Sequence, residues 1–172
     1  LSRRPNWRIH VRFPETGRQV SLKAGLGLQG NEDRFTRIHR ALPNWERFGE
    51  LERTFEATQR GGCYLAMAVA TQLGATPGDI LVVGGRSMEL VGTYDPDLLR
   101  AATDMDGQSL LVWDYGALPF EDRCQNIRRT MQTAATPSVR GLAQEDRLPR
   151  VPADQTVILP ASMLRSFGKT NN

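Results

Sequence analysis

The chain has 172 residues, 40% of them apolar, with 22 Lys and Arg against 19 Asp and Glu, 2 His and 2 Cys. That length fits one domain with a real hydrophobic core, and two cysteines are too few for a disulfide scaffold. Glycine (16) and proline (10) recur without period, which excludes a fibrous repeat, and the longest apolar run, residues 63–70, is far short of the roughly 20 residues that a membrane-spanning helix needs.

Residues 7–13 alternate apolar and polar, the period of a half-buried strand. Pro14-Glu15-Thr16-Gly17 is a turn, and residues 18–23 alternate again, so the N-terminus predicts a β-hairpin. Its apolar face would hold Trp7, Ile9, Val11, Phe13, Val20 and Leu22, and its other face Arg8, His10 and Arg12 opposite Arg18 and Lys23. Gly25 to Gly30 is expected as a loop. Asn31 is a candidate cap for a helix through about Ala41, and Asn44 for a second through about Thr58 with Trp45, Phe48, Leu51 and Phe55 as its stripe. After Gly61-Gly62, residues 63–73 predict an apolar, buried central helix ended by Gly74.

Residues 79–83 and 88–94 read as two strands joined through Gly84-Gly85, and Asp95-Pro96 opens a helix to about Thr103, with an acceptor at the cap and proline in the first turn. Residues 109–113 read as a strand. Residues 119–133 read as an amphipathic helix with Phe120, Cys124, Ile127 and Met131 on one face. Residues 134–154 lack period and contain three prolines, the mark of a linker or extended arm. Residues 156–159 suggest a last strand and 161–167 a last helical turn or two. This order predicts a single α+β domain with a mainly antiparallel sheet, residues 1–133 as its core and 134–172 as an arm and docking segment. Irregular alternation of strands and helices argues against a doubly wound sheet.

Charge is unevenly spread. Residues 1–60 carry 12 Lys and Arg against 7 acids, residues 61–120 carry 2 against 7, and residues 121–172 carry 8 against 5. Only Lys23 and Lys169 are lysine. Arginine offers a planar fork suited to phosphate and carboxylate, although a GC-rich genome raises arginine without functional meaning. Residues 1–23 contain no apolar stretch of the kind a secretory leader carries. The first residue is Leu rather than Met, which points to a fragment or a processed chain and leaves room for a leader. A reducing, cytoplasmic setting with no membrane contact is the expectation.

Gly25-Leu26-Gly27-Leu28-Gln29-Gly30 matches G-x-G-x-x-G. A dinucleotide site requires a strand, this turn, a helix and a second parallel strand. Here a hairpin precedes and two helices split by Pro43 follow, so no nucleotide cofactor is expected. Gln59-Arg60-Gly61-Gly62-Cys63, followed by the apolar residues, is the most suggestive local pattern. A cysteine at a helix N-terminus has a lowered pKa, and Gln59 could donate its amide to an oxyanion. Over about a dozen residues this resembles the nucleophile helix of papain-like cysteine peptidases. The resemblance implies a histidine base after the cysteine, whereas His10 and His39 both precede Cys63. A permuted set would use His39 or His10 as base and Asp114 to orient it, and the plain alternative is a small buried cysteine. No metal is expected, since neither C-x-x-C nor H-x-x-x-H spacing occurs. Asp104-Met105-Asp106-Gly107 lacks the later acid of a calcium loop and reads as a tight turn.

The cationic hairpin face carries the leading expectation. Arg8, His10, Arg12, Arg18 and Lys23, extended by Arg34, Arg37 and Arg40 at three-residue spacing, could track phosphates along a two-stranded ribbon. Trp7, Trp45 and Tyr64 could stack on bases, though apolar periodicity assigns all three to the core. The sequence thus points to a non-catalytic nucleic-acid-binding module without cofactor. A cysteine-dependent hydrolase or transferase using Cys63 is one alternative. Another is a protein-interaction subunit of a larger assembly, with the basic ends and acidic middle complementing each other between copies in a homo-oligomer or meeting another protein.

Overall fold

The computed structural model describes residues 8–30, 38–103, 107–111, 114 and 150–167. The chain divides into two units, residues 1–6 with 112–151 and residues 7–111 with 152–172. Of the first, the described residues are Asp114, Arg150 and Val151. Trp7, the start of the helix expected from Asn31, the turn at 104–106, the end of the strand expected at 109–113, the helix expected over 119–133 with Cys124, and most of the 134–154 arm lie outside the described residues. All the described helices and strands belong to the second unit.

The hairpin forms as its alternation dictates. β1 (Ile9–Arg12) and β2 (Gln19–Leu22) pair antiparallel, with Ile9 opposite Leu22 and Val11 opposite Val20. β3 (Ala24–Leu28) follows after Lys23 alone. A 3₁₀ turn (Ile38–Arg40) leads to α1 (Trp45–Thr58). Asn44 stands at the cap position, but its backbone is left-handed (φ 54°) and its side-chain amide donates to the Val91 carbonyl at 3.3 Å instead of capping the helix.

β4 (Gly61–Ala66) and α2 (Met67–Leu73) occupy the stretch expected as one central helix. The buried helix is real but begins only at Met67; residues 63–66 are strand. The reason is burial on both faces: every residue of β4 is buried. A strand covered on both sides reads as a continuous apolar run, which periodicity cannot tell from a buried helix.

β5 (Ile80–Val83) and β6 (Arg86–Tyr94) are joined by Gly84 and Gly85, both at positive φ, as a two-residue hairpin turn requires. Asp95 accepts the Asp97 N–H at 2.8 Å to cap α3 (Pro96–Ala101). A 3₁₀ turn (Ala153–Gln155) then delivers β7 (Thr156–Pro160) and α4 (Ala161–Phe167). The Tyr94 hydroxyl, fully buried, lies 2.7 Å from the Ala153 carbonyl and 2.5 Å from that of Thr156 and shares its proton between them, which pins the entry of β7.

The strands make one sheet of mostly antiparallel pairs in the order β2-β1-β5-β6-β4-β7-β3, with β4–β6 and β3–β7 parallel. This is the expected α+β class. The two outermost strands, β2 and β3, are consecutive in sequence, so the sheet curls until its ends meet at Lys23, whose N–H donates to the Gln155 carbonyl at 3.0 Å.

The loop expected over Gly25 to Gly30 is instead β3 through Leu28. Its glycines are there for close approach, not for phosphate. A Cβ on Gly25 would stand 2.8 Å from Ile9 Cδ1 and 2.9 Å from Leu164 Cδ1, and one on Gly27 would stand 3.1 Å from the Ala161 backbone. Bare strand glycines let α4 and β1 close over β3.

Candidate interaction surface at the sheet edge

Arg8, His10 and Arg12 alternate with the half-buried Ile9 and the buried Val11 and are all exposed, so β1 and the residue before it present an outward row that holds two arginines. Across the ladder, His10 faces Ser21 and Arg12 faces Gln19. Ser21 Oγ and His10 Nδ1 are 2.9 Å apart. Arg18 does not join this row. The Phe13 N–H bonds the Arg18 carbonyl at 2.9 Å, which sets Arg18 in register with an inward residue. Its guanidinium accordingly reaches the other way and donates to the Gln72 carbonyl at 3.3 Å, while the Thr16 hydroxyl donates to the Leu73 carbonyl at 3.0 Å. Together they satisfy carbonyls of the last turn of α2, where cations and donors are favoured.

Lys23 is exposed at the β2–β3 junction. His39 and Arg40 are exposed on the separate 3₁₀ turn (Ile38–Arg40). Arg34 and Arg37 lie outside the described residues. Of the aromatic residues considered for base stacking, Tyr64 is fully buried and Trp45 stacks on Phe48 at a centroid distance of 5.2 Å, so these two belong to the core.

The Phe13–Arg18 bond also fixes which backbone groups look outward. Narrow and wide pairs alternate in an antiparallel ladder. Val20 and Leu22 therefore turn their N–H and C=O groups toward β1, as Arg18 does its C=O, and Gln19, Ser21 and Lys23 turn theirs to the other side. The Lys23 N–H already takes the Gln155 carbonyl there. Beside this edge runs a cleft of about 400 Å³, lined by Val20 and Leu22 of β2, Ala68, Val69 and Gln72 of α2, and Asp154 among others. Sequence reasoning missed the α2 wall because it merged α2 with β4, and no periodicity places a helix beside a particular strand edge.

Cys63 sits in the middle of β4, fully buried, not at a helix N-terminus. Burial pushes its thiol up to about 12, with the Glu89 carboxylate adding to the effect. No hydrogen bond joins it to Gln59 or His39. Gln59 is the left-handed residue closing α1, with its N–H on the Phe55 carbonyl at 2.7 Å. Asp114 falls in the other unit. The helix-terminus premise for a thiolate is thus overturned by the strand. Among the described residues no cluster of three or more His, Cys, Asp or Glu could hold a metal ion, and no helix is long and apolar enough to cross a membrane.

No protein-family model matches the chain, and no curated protein or solved structure matches it either.

Proposed function

We propose that the protein is a non-catalytic interaction domain that binds another protein as part of a larger assembly. The observation that supports this most is β2, which among the described residues is a terminal strand paired on one side only, with exposed Gln19 and Ser21 and a cleft along its other side. Unpaired strand edges are templates for another chain, and β2 itself holds no proline and no charged residue and pairs with β1 in unbroken register. Selection from a displayed library of random peptides tests the reading. Enrichment of peptides that bind at micromolar strength is the expected result. No enrichment over an unrelated domain of equal net charge would overturn it.

A second reading, contact with nucleic acid, is favoured by Arg8 and Arg12. They are exposed on one face of β1 and make no ion pair among the described residues. Two arginines set against phosphates predict a shallow salt dependence, with log K falling against log salt at a slope of about −2. Titration of labelled duplexes and single strands across a salt series measures it. A flat response, or no binding at low salt, removes this reading.

A further inference from the structure

We infer that the free edge of β2 receives an extended, acidic segment of a partner protein, which adds to the sheet as a further strand. This rests on the interaction reading above and names its site and the chemistry of its ligand.

Three observations carry it. First, the ladder register leaves the N–H and C=O groups of Gln19 and Ser21 turned away from β1. Backbone groups of this kind give affinity in strand addition, and pockets for alternate side chains give selectivity. Second, the edge already accepts a neighbour at its far end, where the Lys23 N–H meets the Gln155 carbonyl. The added strand therefore lies alongside Gln19 to Ser21 and ends before Gln155. The cleft beside it offers an apolar wall from Ala68 and Val69 of α2. Third, the outward face next to the edge is cationic. Arg8, just ahead of β1, and Lys23 line the cleft against one acid, Asp154; Arg12 is exposed on β1, and neither β1 nor β2 contains an acid. An acidic strand gains from these charges.

The test is fluorescence anisotropy with a labelled ten-residue peptide of alternating Glu and Val. It is compared with a peptide carrying Lys for Glu and with two N-methylated forms, one for each set of alternate amides. The acidic peptide should bind. The Lys peptide and one N-methylated form should bind at least tenfold more weakly. Ser21→Pro removes an outward N–H without taking a ladder bond, so it should cost at least tenfold in affinity with the thermal melt retained. If that variant does not fold, the N-methylated peptides decide the matter on the unaltered protein. Absence of binding by the acidic peptide, equal binding by the Lys peptide, or indifference to both methylation patterns overturns the inference. So does displacement by duplex DNA together with that indifference, which assigns the face to phosphate. Library-selected peptides that still bind Ser21→Pro would leave the interaction reading standing while this edge assignment fails.

Discussion

In the folded protein, Cys63 should react with a thiol reagent at pH 8 about a thousandfold more slowly than in denaturant. The thiolate is the reactive form. With the thiol pushed up to about 12 by burial and by Glu89, the thiolate fraction at pH 8 is about 10⁻⁴, against about a quarter for an ordinary cysteine. Mass-spectrometric mapping of the labelled Cys63 peptide reads this site separately from Cys124. Rapid labelling in the native state would reopen the nucleophile assignment. The same burial has a consequence for stability. The unfolded chain releases the Cys63 proton near its ordinary pKa, while the folded chain holds it to about 12. Between those values the unfolded state binds fewer protons, so this group's contribution is constant below about pH 8 and stability falls above it, by up to about 1.4 kcal/mol per pH unit from this group. Tyr64 and Tyr94 are also pushed upward, chiefly by burial, and reinforce the loss at higher pH. Denaturant melts at pH 7, 9 and 10.5 should show the midpoint dropping in that order, and a midpoint unchanged across the series would contradict the burial of these groups.

Phe48→Ala should destabilise the protein by about 3–5 kcal/mol, the range for emptying a large aromatic site in a core. Phe48 is fully buried, stacks on Trp45 at 5.2 Å and meets Tyr64 at 5.3 Å. Its ring also packs over Gly62, where a Cβ would stand 2.7 Å from Val91 Cγ2 and 3.3 Å from Phe48 Cδ2. α1 packs against β4 through this contact. Thermal unfolding should fall by roughly 10 °C. Phe55→Ala, on the half-buried end of the same stripe, should cost clearly less. Equal losses would mean that the cavity at Phe48 collapses and that packing there is looser than the distances imply.

Where local pattern and local structure share one cause, the sequence is a sufficient guide. The alternation around Ile9 and Val11, the Gly84-Gly85 turn, the Asp95-Pro96 start and the apolar stripe of α1 each encode their element within a few residues, because period, positive φ and capping are short-range properties. The exposed row of Arg8, His10 and Arg12 was readable for the same reason. Arg18 was not. Its side is set by which residue pairs with Phe13 across the turn, and one step of register moves a side chain to the opposite face.

The larger departures lie where burial replaces periodicity. Residues 61–66 are covered on both faces, so their apolar run carries no sign of strand rather than helix, and with that sign went the basis for a reactive Cys63. The glycines of β3 look like a phosphate loop in one dimension, and only the nearness of Ile9 and Leu164 shows that they make room for packing. The free edge of β2 is likewise invisible in sequence. By itself the sequence determined the α+β class, the hairpin and the cationic face, all consequences of contacts along the chain. Tertiary structure alone decided the strand at Cys63, the path of the sheet from β2 round to β3 and the cleft beside α2, because each arises from segments that meet in space while far apart in the chain.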